Sequence, residues 1–250
     1  LDAGGKLPLE LPGNYRVLYT VPPSRDARSD VRLERLLAAL DPAPRRFVYI
    51  STTGVYGDHR GGDVTEETAV DPGSGHAALR VAAENTLTEW AARMDCDAVI
   101  LRVPGIYGPG RLGIERIREQ SPIVRDEDVG PGNRIHVDDL ATCCAAALAE
   151  ATPAGIYNVG DGDHRTSAAF TKEVARQAGL PPPPEITMAE LFELLPSLYC
   201  LLGTELDPEI VARMAVAGVL GFLWGGAPVT VPMATGYLYW PAILGISAAS

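Results

Sequence analysis

Two basic residues one helical turn apart, His76 and Arg80, are the first side chains in this sequence that could do chemistry. Because they open a segment with helical periodicity, both lie on the same helix face. An imidazole titrates at about 6.5 when unperturbed and serves as a general acid or base near neutral pH. A guanidinium binds phosphate or ribose oxygens but keeps its proton. The alternative is structural: His76 begins the helix, and Arg80 forms a solvent-facing ion pair with Glu84.

A run of hydroxyl side chains comes before this pair. Thr52 follows the apolar stretch RFVYIS, and its hydroxyl either orients a substrate oxygen or caps the end of a strand. Ser51 and Thr53 flank it and would line the same edge. A second apolar stretch, AVILRV, leads into three residues at the position where ligands bind in open α/β sheets, Pro104, Gly105 and Ile106.

Two further arginines are candidate anion contacts. Arg111 closes the loop PGIYGPGR and would meet an anionic substrate, with a surface arginine as the alternative; Arg134 is the second candidate. We interpret His136 as fixing a turn and Asp138 as a helix N-cap. No metal is expected, because H-x-D-D lacks the i, i+4 spacing of helical ligands and the four cysteines show no C-x-x-C spacing.

Strands and helices alternate in the elements that must position these residues. Strands are predicted at residues 15–21, 46–51, 98–103 and 155–159, and helices at 31–40, 77–94, 139–151 and 166–178, the last capped by Thr166 or Ser167. Nearly continuous apolar runs in the strands indicate a parallel sheet that is covered on both faces. The sequence therefore predicts an α/β fold.

Composition excludes several classes of function. A formal net charge of -11 argues against a nucleic-acid surface, which needs clustered Lys and Arg. The cysteine pattern gives no disulfide framework, so the reducing cytoplasm is the expected location. Residues 214–250 carry no charged side chain. A membrane span needs roughly 20 mostly apolar residues; a short membrane hairpin within 211–250 is the alternative to the buried C-terminal segment that we expect.

Three stretches together resemble the extended short-chain dehydrogenase/reductase superfamily: FVYISTTGVYGD (47–58), LRVPGIYGPGR (101–111) and NRIHVDDLA (133–141). The residues within these motifs are most similar to those of an atypical branch, the NAD-dependent epimerase/dehydratase-like proteins, which generally lack the Tyr-x-x-x-Lys pair. The resemblance covers about residues 10 to 185. It implies a Rossmann-like doubly wound parallel sheet, NAD or NADP as cofactor, and a nucleotide-sugar-like or other small hydroxy or carbonyl substrate.

The resemblance also implies roles for individual residues. Thr52 matches the family's Ser/Thr position, while His76 and Arg80 stand where its Tyr and Lys would; these three are the implied catalytic residues. The Asp-Glu pair that dehydratases place after the hydroxyl is replaced by Thr53-Gly54, so sugar dehydration is not expected. The implied cofactor contacts are Pro22, Pro23, Ser51, Thr52, Arg80, Pro104, Gly105 and Ile106. The implied substrate contacts are Thr53, Arg111 and Arg134.

The sequence has no G-x-x-G-x-x-G turn to hold a pyrophosphate. If YRVLYTV is the family's fourth strand, two βα units of about 30 residues each are missing upstream, and cofactor binding by this chain is weakened. We predict a truncated dinucleotide-binding domain over 1–180, with substrate-side loops at 104–135, and a C-terminal region over 181–250. A homodimer is the expected assembly. The alternative to an enzyme is a non-catalytic nucleotide-binding or regulatory protein.

Overall fold

The apolar runs of the sequence form the strands of the computed structural model, which describes residues 11–23, 29–73, 75–191 and 193. The strands are β1 (Arg16–Tyr19), β2 (Arg46–Thr52), β3 (Asp97–Val103), β4 (Gly105–Tyr107), β5 (Ile123–Val124), β6 (Arg134–His136), β7 (Gly155–Asn158) and β8 (Glu185–Ile186). The helices are α1 (Val31–Ala39), α2 (Gly75–Met94), α3 (Ile114–Arg118), α4 (Val137–Leu148) and α5 (Ser167–Gln177). Short 3-10 turns span Thr53–Tyr56 and Asp126–Asp128.

The main sheet is parallel and has the strand order β1, β2, β3, β7. Each of the four predicted strands and four predicted helices is present, with ends that are unchanged or moved by at most three residues. Thr166, one of the two predicted caps of α5, is the observed cap. The predicted α/β fold with a parallel sheet is confirmed.

Helices cover both faces of this sheet. On one face, Leu33 of α1 and Leu87 of α2 are buried in one cluster with Phe47 of β2. Side chains alternate along a strand, so Arg46 points to the opposite face. There its Nη1 donates to the carbonyl of Ala147 in α4 at 3.0 Å. This arrangement is that of a doubly wound sheet.

The predicted N-cap of α4 is wrong. The sequence placed Asp138 at the cap, but the helix begins at Val137 and His136 is the cap, with Nδ1 accepting the Asp138 amide at 3.3 Å. Strand β6 ends at His136, so the chain passes from strand to helix without a linker and the imidazole is the acceptor at hand. Asp138 lies in the first turn, where its carboxylate favours the positive end of the helix.

The chain divides into two compact units. Among the described residues, the first comprises those from 11 to 104 together with Ile135–Asp161; it contains the four-stranded sheet with α1, α2 and α4. Within the same described part of the chain, the second comprises Gly105–Arg134 and 162–191, with α3 and α5 and the parallel pair β5 and β8. The predicted C-terminal region 181–250 lies mostly outside the described residues and stays a prediction.

A search of the described residues finds no helix both long enough and apolar enough to cross a membrane. The alternative of a membrane hairpin within 211–250 concerns residues outside that part of the chain.

Candidate active site

Thr52 stands at the carboxyl end of β2, where the chain turns into the 3-10 segment Thr53–Tyr56. Its Oγ1 accepts the amide of Gly54 at 3.2 Å, so the hydroxyl does cap this turn. The residue is half-buried. A hydroxyl has one proton and two lone pairs. Since the turn uses only a lone pair, the Thr52 proton is left to donate to another group.

The hydroxyls on either side of Thr52 point inward. Ser51 is 3% exposed and its Oγ donates to Glu84 Oε1 in a short hydrogen bond. Thr53 is 9% exposed. Their predicted contacts with cofactor and substrate stay predictions, but the Ser51 proton is already committed to a protein acceptor.

His76 and Arg80 both lie in the first two turns of α2, and their environments differ. His76 is half-buried. Arg80 is 9% exposed, and its Nη1 donates to the Tyr49 hydroxyl at 3.1 Å and to the Ile50 carbonyl at 2.7 Å. Its guanidinium carbon also lies 5.7 Å from the centre of the Tyr49 ring. Tyr49 and Ile50 of β2 therefore hold the Arg80 guanidinium in place.

The alternative interpretation of Arg80, a solvent-facing ion pair with Glu84, is wrong. Both residues are buried, and Glu84 pairs with Arg102 of β3. The Glu84 side chain reaches the sheet, where two Arg102 nitrogens meet its two oxygens: Nη2 to Oε2 at 2.7 Å and Nε to Oε1 at 3.3 Å.

Arg102 continues this contact toward the turn after Thr52. Its Nη1 donates to the Tyr56 hydroxyl at 2.9 Å, and that hydroxyl donates to Asn158 Oδ1 of β7 at 2.8 Å. The backbone N–H of Asn158 donates to Glu66 Oε1, in the loop after the 3-10 turn, at 2.8 Å. We call Ser51, Glu84, Arg102, Tyr56 and Asn158 the buried polar chain.

Sequence reasoning did not identify Arg102, Tyr56 or Asn158 as site residues. A signal was available, because a charged residue inside an apolar strand run is rarely fully buried unless it is paired. Arg102 sits in AVILRV and Glu84 between the apolar positions of α2. The sequence pattern does not show that Arg102 and Glu84, which are 18 residues apart, pair with each other.

Charge and burial set the protonation of these groups. Burial lowers the pKa of Arg102, but hydrogen bonds to Glu84 and Tyr56 outweigh it and the pKa stands above its ordinary value. Burial raises the pKa of Tyr49 against the opposing effect of Arg80. Burial, with help from Asp30, raises the pKa of Tyr19 to about 12. Tyr19 and Tyr49 are therefore protonated at neutral pH and are not bases.

Three neighbouring strands bring candidate residues of the first unit to one edge of the sheet. Pro22 and Pro23 follow β1, Thr52 ends β2 and Pro104 follows β3. The strands are parallel and in register, with Thr52 opposite Val103. Ligands of open α/β sheets bind at this carboxyl edge.

The remaining candidates belong to the second unit. Gly105 is buried, Ile106 is half-buried and Arg111 is exposed. Arg134 is 5% exposed, donates to the Arg165 carbonyl at 3.1 Å and lies 4.3 Å from the Phe170 ring centre. Packing therefore accounts for the position of Arg134, and its predicted substrate contact stays a prediction.

The stretch GPGRLG, residues 108–113, has the glycine spacing G-x-G-x-x-G. It follows the three-residue β4 and precedes α3, which has five residues. A dinucleotide fingerprint joins a strand of the parallel sheet to a full helix whose amino end meets the pyrophosphate. The context of GPGRLG is different, and we assign it no phosphate.

Comparison with known proteins identifies the family. The profile of the NAD dependent epimerase/dehydratase family matches residues 22–160. An uncharacterized protein y4nG of Sinorhizobium fredii is 31% identical over 140 residues, which are 53% of this chain and 35% of that protein. The dTDP-glucose 4,6-dehydratase of Streptomyces niveus is 28% identical over 142 residues, 54% of this chain and 42% of the enzyme. The matches thus span less than half the length of these relatives.

Solved structures agree with the fold. A functionally unknown conserved protein from Silicibacter pomeroyi DSS is 30% identical, with a TM-score of 0.61 over 83% of this chain and 70% of that one. RMD from Pseudomonas aeruginosa complexed with NADPH is 21% identical, with a TM-score of 0.62 over 74% of this chain and 73% of that chain. The second likeness concerns the fold alone. The sequence motifs, the parallel sheet and the profile match agree, and the chain belongs to the NAD dependent epimerase/dehydratase family.

Proposed function

We propose that this chain is an NAD(P)-binding, oxidoreductase- or epimerase-like protein that acts on a small hydroxyl- or carbonyl-bearing substrate of the nucleotide-sugar type. The observation that carries the proposal is the Thr52 hydroxyl. It lies at the carboxyl edge of a central parallel strand, and its acceptor side is used by Gly54 while its proton is left to donate. A substrate carbonyl or hydroxyl oxygen is the matching acceptor.

The described residues fit part of a dinucleotide site. Pro22, Pro23, Thr52 and Pro104 share the carboxyl edge, where the cofactor of a doubly wound sheet lies. A bound nicotinamide would supply the hydride acceptor. Arg80 fits less well, because its Nη1 is already bonded to Tyr49 and Ile50; we assign it to holding the strand. The residues for a pyrophosphate turn are not in this sequence.

In the catalytic form of the proposal, Thr52 orients the substrate oxygen and His76 exchanges the proton. A neutral imidazole accepts a proton near pH 7, which an unassisted tyrosine, titrating at about 10, does not. The cytoplasm is the proposed location, consistent with Cys96, Cys143 and Cys144 being free thiols. A homodimer remains a prediction.

The second candidate is a non-catalytic nucleotide-binding protein. Two features favour it: histidine and arginine replace the family's Tyr and Lys positions, and Arg80 is turned into the sheet. Such a protein would bind a nucleotide at the same edge and release it unchanged.

Fluorescence titration with NADH and NADPH, followed by turnover assays with UDP-glucose and dTDP-glucose, separates the candidates. Thr52→Val removes the hydroxyl and keeps the shape, and Thr142→Val on the exposed face of α4 is the matched control. The enzyme proposal expects turnover that falls in Thr52→Val and His76→Ala but not in the control. Unchanged turnover in His76→Ala removes His76 from the site. Cofactor binding without turnover supports the second candidate, and no binding of either nucleotide overturns both.

A further inference from the structure

We propose that the Glu84–Arg102 ion pair is a positioning device for the Thr52 hydroxyl, anchoring the backbone on both sides of that residue. The inference rests on the proposed function only in treating Thr52 as the substrate contact. Neither Glu84 nor Arg102 is a candidate to touch substrate, because each is 4% exposed.

The first anchor acts on the residue before Thr52. Ser51 Oγ donates to Glu84 Oε1 from β2 to α2. Arg102 stands directly opposite Ser51 in the β2–β3 register and binds the same carboxylate. Two strands and one helix therefore meet at Glu84, and the last peptide before Thr52 is fixed relative to the helix that carries His76.

The second anchor acts on the turn after Thr52. Tyr56 is the last residue of the 3-10 segment that begins at Thr53, and it is 1% exposed. Its hydroxyl receives Arg102 Nη1, and the Arg102 guanidinium carbon lies 4.8 Å from the centre of the Tyr56 ring. Asn158 Oδ1, on β7, accepts a hydrogen bond from the Tyr56 hydroxyl. The turn that aims the Thr52 hydroxyl is therefore fixed through the same arginine.

The charges of the buried polar chain are balanced within the chain itself. Glu84 and Arg102 neutralise each other at 2.7 Å, and Ser51 and Tyr56 supply neutral hydrogen bonds. Replacing a buried ion pair by apolar side chains of similar volume is often neutral or stabilising, so net stability alone does not account for this pair. The contacts of the Glu84–Arg102 pair lie on both sides of the half-buried Thr52 hydroxyl, so the geometry that the pair specifies is the position of that hydroxyl.

The chain offers its own matched control. Arg46, on β2, is another buried arginine of the same sheet, and it pairs with Asp97 at 2.9 Å. It lies at the amino end of the strand, six residues from Thr52 or about 20 Å along β2. Asp97→Asn therefore disturbs a buried arginine in the same sheet without touching either anchor.

The test uses the full chain and the amide of Gly54, which donates to Thr52 Oγ1. Ser51→Ala removes the first anchor and Tyr56→Phe the hydroxyl of the second, while both keep the ion pair and thus the fold. Hydrogen exchange of the Gly54 amide should rise about tenfold in each variant, the factor that one lost hydrogen bond carries. In Asp97→Asn the exchange rate should change less than twofold.

The outcomes separate this inference from the proposed function. Gly54 exchange that stays at the wild-type rate in both variants, or that rises equally in Asp97→Asn at matched global stability, overturns the positioning role. This readout needs no ligand, so it stands whether or not NADH binds. If exchange rises as expected, turnover measured with the substrate found above should fall in kcat more than it changes KM. A loosened Gly54 with unchanged kcat supports the positioning role and removes Thr52 from the chemistry.

Discussion

Replacing Glu84 by Gln tests the energetic weight of the buried polar chain. The substitution preserves the size of the side chain but leaves the Arg102 charge buried without its carboxylate. The amide group of glutamine also presents N–H donors where Arg102 presents donors of its own. Arg102 is 4% exposed, so water does not replace the lost partner.

The magnitude follows from the burial of both partners. Removing one member of a buried ion pair costs about 3–5 kcal/mol, far more than an exposed pair at about 0–1 kcal/mol. In a protein of this size, about 2–4 °C of melting temperature corresponds to each kcal/mol, so the midpoint should fall by about 6–20 °C. The Arg102 contacts with Tyr56 remain and place the effect toward the lower end of the range.

Urea denaturation followed by circular dichroism measures the change, with Asp97→Asn as control. The Asp97 side chain is 51% exposed, and Arg46 keeps the carbonyls of Ala147 and Thr152, so the control should lose about 1 kcal/mol or less. Adding Arg102→Met to Glu84→Gln should recover part of the loss, because no unpaired charge remains. A Glu84→Gln variant no less stable than Asp97→Asn, or a double variant whose losses simply add, would refute the reasoning.

Three further predictions concern Tyr19, Arg80 and Gly57. The Tyr19 pKa of about 12 in the folded state lies above the value of 10.0 expected for the unfolded chain. The stability it contributes is therefore complete below pH 10 and is lost as the pH rises through 12, by roughly 3 kcal/mol in total; urea midpoints across this range check it, and a Tyr19→Phe variant with the same pH profile contradicts it. Arg80→Met should destabilise by about 2–4 kcal/mol because the buried Tyr49 hydroxyl and Ile50 carbonyl lose their donor, whereas Arg80→Lys should cost less; equal urea midpoints for the two variants speak against the structural role. Gly57 has a φ of +77°, and a Cβ there would lie 2.1 Å from the Asp71 carbonyl oxygen, so Gly57→Ala should cost about 2 kcal/mol or more; a melting temperature equal to that of the wild type would count against this strain.

The strands and helices could be predicted because their signals are local. RFVYIS and AVILRV are continuous apolar runs of strand length, and both became central strands of the sheet. The predicted helix over 77–94 is present as α2, because apolar side chains recur at the spacing of a helical turn along these residues. The α4 cap was mistaken because Asp is a common N-cap by type, while the observed choice depends on where β6 ends.

By itself, the sequence determined the family, the parallel α/β fold and the placement of Thr52 at the end of β2, since motif spacing and apolar periodicity are properties of consecutive residues. Only the tertiary structure decided the partners of the charged side chains. Glu84 is one helical turn from Arg80 in α2, yet it pairs with Arg102 of a neighbouring strand. Arg80 instead reaches Tyr49 and Ile50. Burial makes an unpaired charge costly, so each charge takes the partner that packing brings within reach, and sequence distance does not record which partner that is.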